Sequence, residues 1–244
     1  GCCTALGHDL DSVARSLREG RDAFRASGAL EGLSVCPAED WGQDGARQQF
    51  EGWRHRHYLN RGSRMAVLSG LRALRDAGLE AGLPVRSQII AAVGPMLDVT
   101  GEPGLPPQDT ATLGALWLLR WLPNTAAGAL ARFARCHGEA LTVNAACASA
   151  LQALGEGWRR IRFGLADAVL VAAGDSRLSL GGLLGYHKAR ALSLCAPGTG
   201  PRPFDMGRDG FVPGEGGAAF VLESLSSAQA RGAHVHAEIL GYGA

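Results

Sequence analysis

The stretch Leu141–Leu154, LTVNAACASALQAL, constrains this chain more than any other, because its periodicity changes partway along. Leu141, Val143 and the small Ala145 and Ala146 suit a short interior strand. Ala150, Leu151, Leu154, Trp158 and Ile161 then recur at spacings of roughly three and four, the repeat of one helix face. A strand therefore runs into a helix, with Cys147 at the junction. A thiol there faces unpaired amide N–H groups and the positive end of the helix dipole, which favour the thiolate and make a better nucleophile. The flanking Ala and Ser side chains leave room for a thioester to approach. The same local sequence also fits one more packed thiol, since free cysteine is among the most buried residue types.

The rest of the chain supplies apolar segments for such a junction to sit among. Asp9 or Asp11 can cap a helix over His8–Glu19 with Leu10, Val13 and Leu17 on one face, ended by Gly20. Arg21 to Arg61 is irregular, and the HRH cluster at His55–His57 reads as a solvated turn because no carboxylate or cysteine pattern completes a site. Ser63–Ala77 is an amphipathic helix with Val67, Leu68, Leu71 and Leu74 inward and Arg64, Arg72 and Arg75 outward. Gln88–Val93 and Ala166–Ala173 are continuous apolar runs of the kind that parallel sheets bury on both faces. A Gly and Pro-rich connection from Gly94 to Asp109 precedes helical segments over 111–122 and 125–136. Ser179–Ala191 reads as helical, 197–211 as a loop, Gly217–Glu223 and His234–Tyr242 as strands, and Ser226–Arg231 as a helix between them. Strands alternate with helices throughout, so the expected fold class is α/β, with a mostly parallel sheet and helices on both faces.

Composition narrows the function classes. The 244 residues carry 24 basic and 23 acidic side chains, a net charge of +1, which gives no argument for a nucleic acid or membrane-surface partner. The apolar run Leu113–Leu122 stops at Pro123, far short of the about 20 residues a membrane span needs, and reads as a buried helix. Six cysteines without a repeated CxxC pair, and with no secretory leader ahead of them, suggest free thiols in a reducing, cytoplasmic setting. Cys136 beside His137 fits no common zinc spacing, so no metal is expected.

Several ordered blocks resemble one family. VNAACASALQALGEGWRRIRFGLADAVLVAAGDS, then GYHKARALS, then RPFDMGRDGFVPGEGGAAFVLE, look like the N-terminal half of a β-ketoacyl synthase, the condensing enzyme of fatty acid and polyketide assembly. WLPNTAAGALARF and NRGSRMAVLSGLRALRDAGL resemble earlier family segments, so the likeness covers nearly the whole chain. The resemblance implies the N-terminal half of a thiolase-like layered fold, with residues 1–244 forming one domain and the C-terminal half absent. It implies Cys147 as the nucleophile that takes an acyl group from the phosphopantetheine of an acyl carrier protein, with no other cofactor. The implied partners are that carrier protein and a second synthase chain, in a homodimer or in a heterodimer with a full-length synthase.

The likeness has gaps. The family's two histidines and lysine, in motifs of the HGTGT and KxxxGH kind, occur nowhere here, and His187, His234 and His236 do not match their positions. Either another half or partner supplies them, or the chain is a non-condensing relative resembling a chain-length factor. Tyr186, in GYHKARALS, falls where the family has a phenylalanine guarding the acyl pocket, and it also fits an ordinary packed aromatic. Glu215 matches an acidic family position that orders the interior, and bonding to turn amides between glycines is the simpler account. Ala145 replaces a common threonine, and Ala172–Asp175 replaces Gly-Gly-Ala-Glu, which marks a divergent branch. Arg159, Arg160 and Arg162 could meet an acidic carrier protein, although a solvated basic face is the plainer reading.

Overall fold

The computed structural model describes residues 1–96, 115–195 and 200–244. In chain order these form β1 (Cys2–Thr4), α1 (Leu10–Arg18), β2 (Arg25–Ala26), β3 (Ser34–Val35), α2 (Gly45–Gly52), α3 (Arg61–Asp76) and β4 (Ser87–Val93). There follow α4 (Thr125–Phe133), β5 (Ala140–Thr142), α5 (Ser149–Arg162), β6 (Ala168–Ser176), α6 (Leu180–Lys188), β7 (Glu215–Glu223) and α7 (Leu225–Ala230).

The two apolar runs expected to be buried on both faces form β4 and β6. They pair in parallel from Ser87↔Ala168 to Val93↔Gly174. β5 adds in parallel outside β4, while β7 pairs antiparallel with β6 and β1 pairs antiparallel with β7. Among the described residues the sheet order is β1-β7-β6-β4-β5, so four strands point one way and β7 alone is reversed. Helices cover both faces. Met65, Leu68 and Leu71 of α3 and Leu130 of α4 pack with Ile89, Ala91 and Leu170 on one side. Ala153 of α5 packs with Ile90, Val169 and Val171 on the other. Both approaches are close enough to require glycine: a Cβ on Gly174 would lie 2.3 Å from Gly62 O of α3, and one on Gly157 would lie 2.9 Å from Leu222 and Val171 methyls.

The structure corrects several expectations, each for a local reason. α1 starts where Asp9 caps it, in a reciprocal box with Ser12, but Leu10 and Leu17 are 62% and 63% exposed. Its anchor is Ser16, which is buried and donates its hydroxyl to Leu6 O at 2.8 Å. The irregular stretch after Arg21 contains α2, capped by Asp44 accepting from Arg47 N at 2.7 Å. The 111–122 segment lies partly outside the described residues, as does the loop before it. Its described end is a 3-10 turn at Trp117–Arg120 with Leu116, Leu118 and Leu122 exposed, in place of a buried helix. β5 is an edge strand, which leaves Leu141 partly exposed where an interior strand was expected. His234–Tyr242 forms no strand because it lies across α5 instead of beside another strand. There Trp158 Nε1 donates to Ile239 O at 3.0 Å, and the Tyr242 ring sits against Gly155.

Arg72 is the clearest reversal, being expected outward yet only 8% exposed. Its Nε donates to Asp44 Oδ2 at 2.7 Å, Nη1 donates to Cys2 O at 2.8 Å, and Nη2 donates to Trp41 O. One guanidinium thus ties α3 to the cap of α2 and to β1. Burial raises the Asp44 carboxyl, but the Arg47 amide and Arg72 outweigh it and hold the group below the ordinary carboxylate value. A depressed carboxyl adds stability that is present above its unfolded pKa and is lost as pH falls through the folded value. Arg72→Met is expected to lower unfolding free energy by about 2 kcal/mol in a denaturant titration, since it strands the acceptors it served. The loss should shrink as pH falls through the folded pKa of Asp44.

Candidate functional site

Because β4, β5 and β6 are parallel, their C-terminal ends open onto one edge of the sheet, the edge where open α/β folds hold ligands. The chain leaves β5 at Thr142 and stays on β4 for one more step through Val143 N to Ala91 O at 2.8 Å. It then makes a 3-10 turn at Ala146–Ala148 and enters α5 at Ser149. Cys147 lies in that turn and is exposed.

The turn is sharp, and its sharpness is braced. Ala146 has φ +49°, a left-handed conformation that costs a residue with a Cβ roughly 1–2 kcal/mol. The Ser149 hydroxyl accepts from Ala145 N at 2.7 Å and donates to Ala146 O at 2.7 Å, clamping both sides of the strained residue. The first turn bonds run from Ala148 N to Ala145 O and from Ser149 N to Ala146 O. The Cys147 N–H therefore has no acceptor among the described residues and stands free beside its own thiol. A free amide at a helix mouth is the donor that an oxyanion needs.

The other cysteines differ in surroundings. Cys2 and Cys3 are buried and Cys36, Cys136 and Cys195 are half-buried. Burial pushes the thiols of Cys2, Cys36 and Cys136 up, and that of Cys3 up to about 11, so these four are held as neutral thiols. Cys136 donates to Ser87 O, and no group of three or more ligand side chains that could hold a metal occurs among the described residues.

Tyr186 lies in the last turn of α6, which follows β6 at the same sheet edge. It is half-buried and packs edge-on against Phe211 at 5.2 Å between ring centroids. Phe211 is fixed in turn by its amide on Ala191 O at 3.0 Å and by Ser193 N on its carbonyl at 2.9 Å. Asp209 accepts from the Ser193 hydroxyl at 2.8 Å and from Leu194 N at 3.1 Å.

Glu215 opens β7 directly opposite Ser176, so it shares that edge. Its side chain is fully buried, and it takes both nitrogens of the Arg61 fork at 2.5 and 2.6 Å, the Ser176 hydroxyl at 2.6 Å and Ala38 N at 3.0 Å. These partners lie on three separate segments, so the glycine-turn account of Glu215 gives way to a cross-link between them. A cavity of about 480 Å³ lies beside this pair, lined by the start of α3, the ends of β4 and β6, and Arg120. Cys147 is not among the residues that line it.

Two of the three arginines on α5 are engaged within the chain. Arg160 bonds Glu156 at 3.0 Å, Gln88 at 2.5 Å and Glu139, while Arg159 stacks over Tyr242 at 5.1 Å. In the HRH cluster, His57 contacts Arg54 O at 2.7 Å and His55 accepts from Arg54 Nε at 3.1 Å, so both are satisfied locally. Sequence reasoning missed the Ser149 brace, the Arg61–Glu215 pair and the cavity. Only the first left a signal, a serine two residues beyond the cysteine.

A cysteine thus stands exposed at a strained strand-to-helix turn, above parallel strands with helices on both faces. The sequence pattern described as "Beta-ketoacyl synthase, N-terminal domain" matches residues 1–228, and the chain belongs to the β-ketoacyl synthase family. It is 32% identical over 184 residues to 3-oxoacyl-[acyl-carrier-protein] synthase 2 of Vibrio cholerae, covering 72% of this chain and 44% of that protein. It is 33% identical over 196 residues to the tetracenomycin polyketide synthase ketoacyl synthase alpha subunit of Streptomyces glaucescens, covering 75% and 46%. Among solved structures, the ishigamide ketosynthase/chain length factor superposes with a TM-score of 0.82 at 29% identity, covering all of this chain and 61% of that one. The chain thus spans less than two thirds of each of these relatives.

Relief of strain at Ala146 is directly measurable. Ala146→Gly is expected to be at least as stable as the parent, and Ala146→Val to lose about 1–2 kcal/mol relative to the glycine variant in thermal unfolding.

Proposed function

We propose that this chain is the nucleophile-bearing part of a β-ketoacyl-[acyl-carrier-protein] synthase, with Cys147 as the residue that accepts the acyl group. The observation that carries this is the exposed thiol beside its own free amide at the mouth of α5. In the first half-reaction the Cys147 sulfur attacks the thioester carbonyl of an acyl-phosphopantetheine, and the free Cys147 N–H stabilises the resulting oxyanion. The carbon–sulfur bond to the pantetheine then breaks, and that thiol leaves with the proton given up by cysteine. In the second, a malonyl thioester loses carbon dioxide and its enolate carbon attacks the acyl-enzyme. A carbon–carbon bond forms as the cysteine sulfur leaves. Histidines that stabilise the enolate come from a further half or a partner chain, since this sequence lacks their motifs.

The partners follow from the same reading. An acyl carrier protein delivers both thioesters; the Vibrio relative is named a 3-oxoacyl-[acyl-carrier-protein] synthase. A second synthase chain, identical or full-length, pairs along β5. That strand is at the sheet edge with Leu141 partly exposed, and the buried Thr142 hydroxyl lacks a partner among the described residues. Six unpaired thiols support a reducing, cytoplasmic setting. No helix among the described residues is long and apolar enough to cross a membrane. Residues 1–244 act as one domain, and Tyr186 borders the acyl site and tunes its polarity.

A second reading has specific support: the likeness to the ishigamide ketosynthase/chain length factor, together with Ala145, fits a non-condensing subunit that shapes a companion's acyl tunnel. Labelling separates the two. A cerulenin-type inhibitor or acyl-thioester analogue is expected to modify Cys147 selectively by peptide mass spectrometry, with labelling lost in Cys147→Ala; equal modification of several cysteines contradicts the acyl-transfer reading. Co-expression with a companion synthase is the complementary check. Loss of product with Cys147→Ala supports the condensing role, and undiminished product leaves the subunit reading in its place.

A further inference from the structure

Building on the acyl-transfer reading, we propose that Ser149 is a positioning residue for that reaction, its hydroxyl holding the Ala146–Cys147 peptide so that the Cys147 N–H meets the thioester oxygen. Ser149 is the first residue of α5, and serine hydroxyls readily bond the backbone beside them. Here the hydroxyl does so twice, accepting from Ala145 N and donating to Ala146 O, each at 2.7 Å. The Ser149 amide donates to the same carbonyl. Ala146 O therefore receives two donors from one residue, and its direction is fixed toward α5. A peptide unit is planar and trans, so its N–H points opposite to its C=O. Fixing Ala146 O toward the helix thus turns the Cys147 N–H away from it, where the amide has no acceptor among the described residues.

The backbone alone does not favour this direction. The Cys147 amide rides on the φ and ψ of Ala146, and that residue sits at φ +49°, a conformation that a Cβ disfavours. Relaxation of Ala146 would swing the Cys147 N–H relative to β5. Neither the 3-10 turn nor α5 has a side-chain bond from its N-cap residue. Among the described residues, the Ser149 hydroxyl is the one side-chain group bonded to the backbone of 144–148. Neither of its bonds goes to the Cys147 sulfur. Ser149 therefore acts on acyl transfer through the amide that stabilises the oxyanion, and leaves the nucleophile itself unaltered. Two reactions of one sulfur then respond differently to its loss: attack on a carbonyl builds charge on oxygen, and displacement at an alkyl halide does not.

The test uses the complete synthase and compares acylation of Cys147 by octanoyl-pantetheine with its alkylation by iodoacetamide, each followed by peptide mass spectrometry. Alkylation forms a carbon–sulfur bond as iodide leaves and the thiol proton passes to solvent, with no oxyanion on the way. Removing an oxyanion donor outright costs about 100-fold or more in rate. Ser149→Ala, which frees that donor to turn, is expected to slow maximal acylation at least about 10-fold, with KM and alkylation within about twofold of the parent. Ser149→Thr and Ser149→Val share one shape and differ in the hydroxyl, so Ser149→Thr should keep most of the acylation rate and Ser149→Val should lose it. Thermal unfolding of the three variants shows which retain the fold, and the comparison at equal shape decides where Ser149→Ala does not. Unchanged acylation in Ser149→Ala, an equal fall in acylation and alkylation, or equal acylation by Ser149→Thr and Ser149→Val overturns this inference while the acyl-transfer reading stands. Absence of acylation in the parent, with alkylation intact, overturns both.

Discussion

Parallel strands release the chain on one side only, and that constraint sets where chemistry can happen in this molecule. β4, β5 and β6 share a direction, so Gly94, Cys147 and Ser176 all emerge at the same edge although they are far apart in sequence. The connections through α4 and α5 then lie on opposite faces of the sheet. Cys147 is exposed because it stands at that edge, before α5 turns back onto Ile90 and Val171. The left-handed turn at Ala146 is the local consequence. A strand and a helix joined by so few residues need one residue off the usual backbone, and the Ser149 hydroxyl bonds Ala145 N and Ala146 O to hold it.

The same edge is stiffened by buried charge. Glu215 enters from the reversed strand β7 and gathers Arg61 from the start of α3, Ser176 from the end of β6 and the Ala38 amide from the loop before α2. A buried carboxylate is tolerable only when its lone pairs are filled in this way, and replacing one partner leaves the others unmet. Arg61 in turn stacks over Trp41 at 5.1 Å, and Trp41 donates to Ala38 O at 2.6 Å. The network makes one wall of the cavity rigid. Arg120 stands beside that wall with its Nε lacking a hydrogen-bond partner among the described residues.

Much of this architecture could be read from periodicity, because burial on both faces leaves continuous apolar runs such as Ile89–Val93 and Val169–Ala173. The junction at Cys147 was legible for the same reason: an apolar alternation gives way to spacings of three and four. What failed was whatever depends on partners distant in sequence. Arg72 looks like a solvated helix residue until Asp44, Cys2 and Trp41 converge on it, and Leu10 and Leu17 look like core until Ser16 anchors the helix instead. His234–Tyr242 alternates as a strand should, yet pairing needs a neighbour, and the segment lies on α5. The cavity had no signature at all, since its walls come from seven separated stretches of chain.

The central claim is that the sulfur at the mouth of α5 is the one that carries the acyl group. A crystal structure of the complete synthase after reaction with an acyl thioester tests it most directly. The account predicts density continuous from Cys147 Sγ into the acyl chain, with the carbonyl oxygen within about 3 Å of the Cys147 amide nitrogen. An adduct on any other cysteine, or an acyl carbonyl turned away from that amide, would contradict it.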